Sequence, residues 1–379
     1  SADLLSQALP SYLAMKAKTL RTSKHLDTLR PRIELFARTV GDKPVRDYVR
    51  QDFEDYRDLL DQTPARWQAR FKTTSLSEAI AANARLDRPH PPMEPKSIDD
   101  DYLSPLKTFF TALEKASKIE RNPGRGVASA RTDTQERADE GRLPFSPGPL
   151  STYLAYMARN RSRVSPDYWL PLLALYTGAR LNELCQIDPT RVIQRDGVWL
   201  IDLLTVLDRD ELASLPKPER LKLKSAAARR EIPIHEDLVK AGFLELVEGR
   251  RKRGGRLFPE LKSDAHGYLS TAISKRLNLD IVRAGVKTDR VTFYSLRHNF
   301  RSALRNGRVS DLTADRVMGH VIRGAKGHYG SPQLEPAEIE DVRRIAFPGV
   351  DISPYLSAIG ERRRSRREPV GPVSPPRGA

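Results

Sequence analysis

Hydrophobic periodicity fails once along this chain, between Arg131 and Pro149, where charged residues, Gly and Pro replace the regular apolar spacing found on either side. A segment without that spacing has no face to bury, so the parts flanking it must build separate cores. The length of 379 residues suits this division, being about two ordinary domains. The expected organisation is a helical domain over 1–130, a linker over 131–149, a second domain over 150–360 and a tail over 361–379. In the tail, Arg362-Arg363-Arg364-Ser365-Arg366-Arg367 leads into proline-rich residues with no apolar pattern, a composition expected to be disordered.

Before the linker the spacing is helical. Leu4, Leu5, Leu9, Tyr12 and Leu13 mark one amphipathic segment, and Leu26, Leu29, Ile33, Leu35 and Phe36 a second. Gly41-Asp42-Lys43-Pro44 announces a third, which runs through Phe53, Tyr56, Leu59 and Leu60 and stops at Pro64. A fourth begins near Ser97-Ile98-Asp99, carries Leu103, Leu106, Phe109, Phe110 and Leu113, and closes at Asn122-Pro123-Gly124. The four prolines between 89 and 95 read as a loop.

After the linker the pattern is mixed, so the fold class is α+β: an all-α domain followed by a mainly helical one with a small antiparallel sheet. Tyr168, Trp169, Leu172, Leu173, Leu175 and Tyr176 lie on a helix that breaks at Thr177-Gly178, and Arg180, Leu181, Glu183 and Leu184 on the next. Val198-Trp199-Leu200-Ile201 and Glu231-Ile232-Pro233-Ile234 read as strands, with Leu221-Lys222-Leu223-Lys224 alternating in period two before the second. Helical spacing resumes over 238–247, 269–286 and 296–304.

Charge then narrows the partner. Lys and Arg number 65 against 49 Asp and Glu, a net charge of +16, which favours a polyanion and makes double-stranded DNA the leading candidate. A membrane surface is the competitor, but there is no run of about 18 apolar residues and no signal pattern at the N-terminus, so a soluble intracellular protein is expected. The single cysteine, Cys185, excludes an internal disulfide and a Cys-rich zinc site, and the seven histidines show no metal-ligand spacing. No cofactor and no metal are expected. The run Arg250-Arg251-Lys252-Arg253-Gly254-Gly255-Arg256 suits a DNA backbone contact, although a charge run is more often a solvated face.

Singly, the chemistry-bearing residues have plain structural readings. Arg180 at a helix start is more often a surface side chain, Lys224 a solvated charge, His320 a neighbour of a helix C-cap, and a lone tyrosine such as Tyr329 packing material. Jointly they say more. Thr177-Gly178-Ala179-Arg180-Leu181-Asn182-Glu183-Leu184, Lys224, Tyr294-Ser295-Leu296-Arg297-His298, Met318-Gly319-His320 and Tyr329 supply the groups needed to hold a phosphodiester and attack it.

In this order the sequence resembles the tyrosine recombinase family, the phage-type integrases. The resemblance covers both halves, a helical core-binding domain and a mixed catalytic domain. It rests on the nine-residue step from His320 to Tyr329 and on a lysine nine residues before Pro233. It implies that Arg180 and Arg297 clamp the non-bridging oxygens of the scissile phosphate, where planar guanidinium groups answer the charge of the transition state. Tyr329 is then the nucleophile, forming a 3′-phosphotyrosyl link and releasing a 5′-hydroxyl, and Lys224 the general acid for that oxygen, with Lys222 the fallback. His320 donates a hydrogen bond to the phosphate, and Glu183 orients Arg180 or a neighbour. The implied protein is a site-specific DNA recombinase of a phage or mobile element, acting as a homo-tetramer on synapsed DNA in the prokaryotic cytoplasm, at the nucleoid. The segments 339–347 and 355–359 are candidates for a helix exchanged between neighbours. A catalytically lapsed DNA-binding protein of the same fold and a type IB topoisomerase-like enzyme are the alternatives.

One position departs from the pattern. Three residues before Arg297, where the family usually has histidine, stands Tyr294, with His298 in the common following slot. A phenol, with an unperturbed pKa of about 10, is a poor base at neutral pH, so hydrogen bonding or packing is what remains for it. His328, beside Tyr329, reads as a solvated neighbour.

Overall fold

The structure, a computed structural model, describes residues 3–19, 23–131, 141–203, 229–320 and 333–356. Lys222, Lys224, His328, Tyr329, the 357–359 stretch and the arginine-rich tail lie outside the described residues. The chain forms two units, Ser1–Glu140 and Gly141–Ala379.

In the first unit the helices are α1 (Leu5–Thr19), α2 (Ser23–Val40), α3 (Arg50–Gln62), α4 (Trp67–Phe71), α5 (Leu76–Ala84), α6 (Pro95–Ile98) and α7 (Ser104–Lys115). The four helical segments expected from spacing correspond to α1, α2, α3 and the α6–α7 stretch, the last widened by a π turn at Asp99–Leu103. Helices α4 and α5 fall in a stretch where no element was assigned from spacing; Ser75 caps α5 by accepting from the Glu78 N–H. The apolar faces meet in an aromatic core, with Phe36 and Phe53 ring centroids 4.8 Å apart and Phe53 and Phe110 5.1 Å apart.

The second unit is organised around α9 (Pro166–Thr177), a helix buried on every side, as its unbroken run of apolar residues requires. It is preceded by α8 (Pro147–Asn160) and followed by α10 (Leu181–Cys185). Strands β1 (Val192–Arg195), β2 (Val198–Asp202) and β3 (Glu231–Pro233) form an antiparallel sheet in that order. Then come α11 (Glu236–Lys240), α12 (Phe243–Arg251), α13 (Ser270–Arg283), α14 (Ser295–Asn306), α15 (Asp311–Met318) and α16 (Pro336–Arg343). The 238–247 segment, expected as one helix, is two, broken where Gly242 takes φ 88°.

The structure bears on three expectations. The stretch 141–149, read as linker, is packed on the second unit: the Leu143 N–H donates to Arg290 O at 3.1 Å, Phe145 is buried against Tyr153, and α8 starts at Pro147. Proline there is a helix-starting residue rather than a breaker. Within one chain the 339–347 segment, a candidate for exchange between copies, packs on its own unit, with Ile339, Val342 and Ile345 buried, an arrangement that exchange would reproduce on a neighbour. Tyr355 does likewise, its hydroxyl donating to Tyr168 O at 3.0 Å. Finally, arginines of the 250–256 run brace the fold. Arg251 donates to the carbonyls of Pro189 and Val192, Arg250 to that of Val164 and Arg256 to that of Leu261.

Among the described residues no helix is long and apolar enough to cross a membrane.

Candidate active site

Gly178 ends α9 in the left-handed conformation, φ 58°, which favours glycine. A Cβ at this position would also collide with the Phe300 ring. The turn brings Arg180 to the start of α10, where its backbone N–H donates to Glu183 Oε2 at 2.9 Å and its Nη1 to Oε1 at 3.0 Å. Its Nη2 reaches Gly319 O at 3.2 Å.

Arg297, in the first turn of α14, is 3% exposed. Its Nη1 donates to Gly178 O and its Nη2 to Met318 O at 2.7 Å and to His320 Nε2 at 2.8 Å. One guanidinium thus joins the C-terminal ends of α9 and α15, with carbonyls and an imidazole as its hydrogen-bond partners. Burial, and then the nearby Arg180 charge, pull its pKa down to about 10, which leaves it a cation at neutral pH. A buried cation without a carboxylate bonded to it is costly unless an anion arrives.

His320 follows the left-handed Gly319 cap of α15. Its backbone N–H donates to Asp315 O at 2.9 Å, and its Nδ1 lies 3.0 Å from Asp315 Oδ1. Arginine can only donate, so the 2.8 Å contact with Arg297 makes Nε2 an acceptor and puts the single imidazole proton on Nδ1, facing Asp315. Burial sets the His320 pKa below its ordinary value; Arg297 and Arg301 reinforce this and Asp315 opposes it.

Beneath these groups Glu183, 2% exposed, also accepts from Arg230 Nη2 at 2.8 Å, and Arg230 Nε donates to Val317 O at 2.5 Å. Burial alone would raise the Glu183 pKa, but Arg230 and then Arg180 outweigh it and hold the carboxyl below its ordinary value. Two arginines therefore share one carboxylate, and Arg297 adds a third cation.

Tyr294 is 42% exposed. Its ring meets that of His298 edge-on at 5.2 Å and has the Arg142 guanidinium 5.7 Å from its centroid. Burial, then Arg297 and Arg142, hold the His298 pKa below its ordinary value. Tyr294, Arg142 and Arg297 border a cleft of about 380 Å³ whose apolar wall includes Leu181 and Phe293.

The structure thus brings together Arg180, Glu183, Arg297 and His320, with Tyr294 and His298 at the rim. The described chain resumes after Tyr329 at Gln333, where charged side chains pin it. Arg316 Nη2 donates to Gln333 O at 2.5 Å, and the Leu334 N–H donates to Glu231 Oε2 at 3.1 Å while Glu231 accepts both Nη atoms of Arg195 at 2.6 and 2.9 Å. Spacing gave no role to Arg230, Asp315, Arg195 or Glu231. Arg230 stands directly before a strand and Asp315 one helical turn before a glycine cap, but neither position announces its partner.

No protein-family model and no curated protein matches the sequence. The likeness lies in three dimensions. The mainly helical α+β fold of this chain superposes on integrases solved with DNA. The Tn1549 transposon integrase in complex with circular intermediate DNA superposes with a TM-score of 0.56 at 15% identity, covering 95% of this chain and 99% of that one. A lambda integrase dimer bound to a COC′ core site gives 0.52 at 15% identity, over 88% and 100% of the two chains. A lambda integrase tetramer bound to a Holliday junction gives 0.51 at 15% identity, over 87% and 80%. The chain has the integrase fold.

Proposed function

We propose that this protein is a site-specific DNA recombinase of the tyrosine recombinase family, cutting and rejoining DNA through a 3′-phosphotyrosyl intermediate. The observation that carries this reading is the convergence of Arg180, Arg297 and His320, brought from three distant parts of the sequence onto one carbonyl-lined site with a buried guanidinium. Such a site has the charge and the donors for a phosphodiester and suits the equatorial oxygens of its transition state.

In this reading Arg180 and Arg297 hold the non-bridging oxygens and His320 adds a third contact. Tyr329 gives up its phenolic proton to solvent and attacks phosphorus; the bond to the 5′-oxygen breaks, and Lys224 gives that oxygen a proton. The energy of the broken ester is kept in the phosphotyrosine, so a 5′-hydroxyl from another strand can reverse the attack without ATP. Glu183 keeps Arg180 in place. The lambda integrase tetramer solved on a Holliday junction supports a reading in which four copies act on two duplexes, and a DNA partner fits work at the bacterial nucleoid.

The test uses nicked duplexes from the DNA flanking the protein's own gene. Wild type should give an adduct that survives denaturation, and Tyr329→Phe should give none. An adduct persisting in the mutant would remove Tyr329 from the role. Relaxation of a single supercoiled plasmid without recombination between two sites would favour the topoisomerase alternative. Site-specific binding with no adduct in wild type would favour the lapsed one.

A further inference from the structure

Asp315 holds three connections at once. Its Oδ1 accepts from His320 Nδ1 at 3.0 Å and from Arg301 Nη1 at 3.1 Å, and its backbone oxygen accepts the His320 N–H at 2.9 Å. On the opposite side of the imidazole, Nε2 accepts from Arg297 at 2.8 Å. In this arrangement His320 presents a lone pair, not a proton, on the side of Arg297. A phosphate oxygen arriving there would be repelled by a bare nitrogen, so the imidazole cannot serve it as it stands.

We propose that Asp315 is a positioning residue that lets His320 take a second proton from solvent when a phosphate binds, so that Nε2 turns from accepting from Arg297 to donating to a phosphate oxygen. The inference rests on the phosphodiester reading of the site. The phosphate takes over as acceptor for Arg297, and the imidazolium formed is balanced by the Asp315 carboxylate at Nδ1. Arg301, also bonded to Asp311 at 3.2 Å, fixes that carboxylate. The C-terminal end of α15 adds a partial negative charge beside His320.

Every charged group facing the ring enters the balance. Asp315 on α15 favours the second proton. Arg297 and Arg301 on α14 oppose it, and Arg180 and Arg230, which reach Gly319 O and Val317 O, add cations whose charge Glu183, bonded to both, partly offsets. Without an anion the cations prevail and His320 is neutral; a bound phosphate offsets them and reverses the outcome. A carboxylate behind a working histidine is worth about 10- to 100-fold where such support has been removed in metal sites, and an effect of that size is expected here.

The experiment follows His320 by nitrogen-15 NMR in the full-length protein, its signals assigned by their loss in His320→Gln. Without phosphate, wild type should show the Nδ1-protonated neutral ring, and Asp315→Asn and Asp315→Ala the same tautomer, still fixed by Arg297, with a lower pKa. Saturating inorganic phosphate should raise the His320 pKa in wild type and much less in Asp315→Asn. On nicked DNA, the alkaline limb of the cleavage-rate profile should move to lower pH in Asp315→Asn, with Asp315→Glu partly restoring it. A His320 pKa unchanged in Asp315→Ala, with or without phosphate, would overturn the proposal. Absence of any adduct from wild type would defeat the recombinase reading while leaving the phosphate-dependent NMR result standing, so the two fail separately.

Discussion

Arg230 Nη2 lies 2.8 Å from Glu183 Oε2 with both side chains almost wholly buried, and through this pair β3 is fastened to the start of α10 beneath Arg180. Removing Arg230 takes one of two arginine partners from a buried carboxylate and leaves Arg180 holding it. Arg230→Met is therefore expected to destabilise the second unit by about 1–3 kcal/mol, read as a lower urea midpoint at neutral pH. Acid supplies the sign check. Glu183 has its folded pKa below the ordinary value, so its stabilisation is complete above about 4.3 and is lost as pH falls through the lower folded value. In Arg230→Met the carboxyl keeps Arg180 but loses the larger of its two cationic influences, so its pKa is expected to rise from the folded wild-type value. The deficit of the variant should then narrow at acidic pH, because protonation discharges the carboxyl that has lost Arg230. An equal deficit at both pH values would mean that Glu183 does not feel Arg230.

Gly178 tests the turn that delivers Arg180. Its φ of 58° and the Phe300 ring beside its missing Cβ act independently, so Gly178→Ala combines a left-handed backbone cost with overpacking, together about 2–5 kcal/mol. The same substitution displaces the carbonyl that accepts from Arg297. Urea unfolding should report the loss, and cleavage by the folded fraction should fall as well. A neutral effect on stability would show that Phe300 yields without strain. Gly197, also at positive φ but with nothing near its missing Cβ, is the control: Gly197→Ala should cost less.

The contrast between these glycines illustrates what was legible in the sequence. Helices with one apolar face, such as α2, α3, α7 and α14, follow from spacing because their burial is periodic. The start of α8 was hidden by Pro147-Gly148-Pro149, residues that punctuate loops as readily as they open helices. Strand β1, Val192–Arg195, is four residues long, too short for alternation to register, and is held by its partner β2. At the site, the residues carried by motif order, Arg180, Arg297 and His320, could be named. Asp315 and Arg230 could not: Asp315 gains its partners only once α15 lies against α14 and the chain turns back at Gly319, and no local spacing encodes a contact across 87 residues such as Arg230 to Val317.

Tyr294 gives the sharpest test of the rim. With 42% of its surface exposed and its ring face occupied by His298 and Arg142, the hydroxyl contributes little to folding. Tyr294→Phe should leave the urea midpoint within about 0.5 kcal/mol of wild type. Its place beside Arg297 on the cleft suits a hydrogen bond to the phosphate, worth about 1.5–3 kcal/mol when the acceptor is charged. Single-turnover cleavage by Tyr294→Phe should accordingly slow by about one to two powers of ten without being abolished. Tyr294→His puts an imidazole between Arg142 and Arg297, two cations that disfavour its charged form, so activity should acquire an inflection below the ordinary histidine value of about 6.5. Were the tyrosine only packing, Tyr294→Phe would be silent and Tyr294→His would bring no new ionisation. Complete inactivity of Tyr294→Phe, with folding and DNA binding intact, would instead give the phenol a direct part in proton transfer to or from Tyr329.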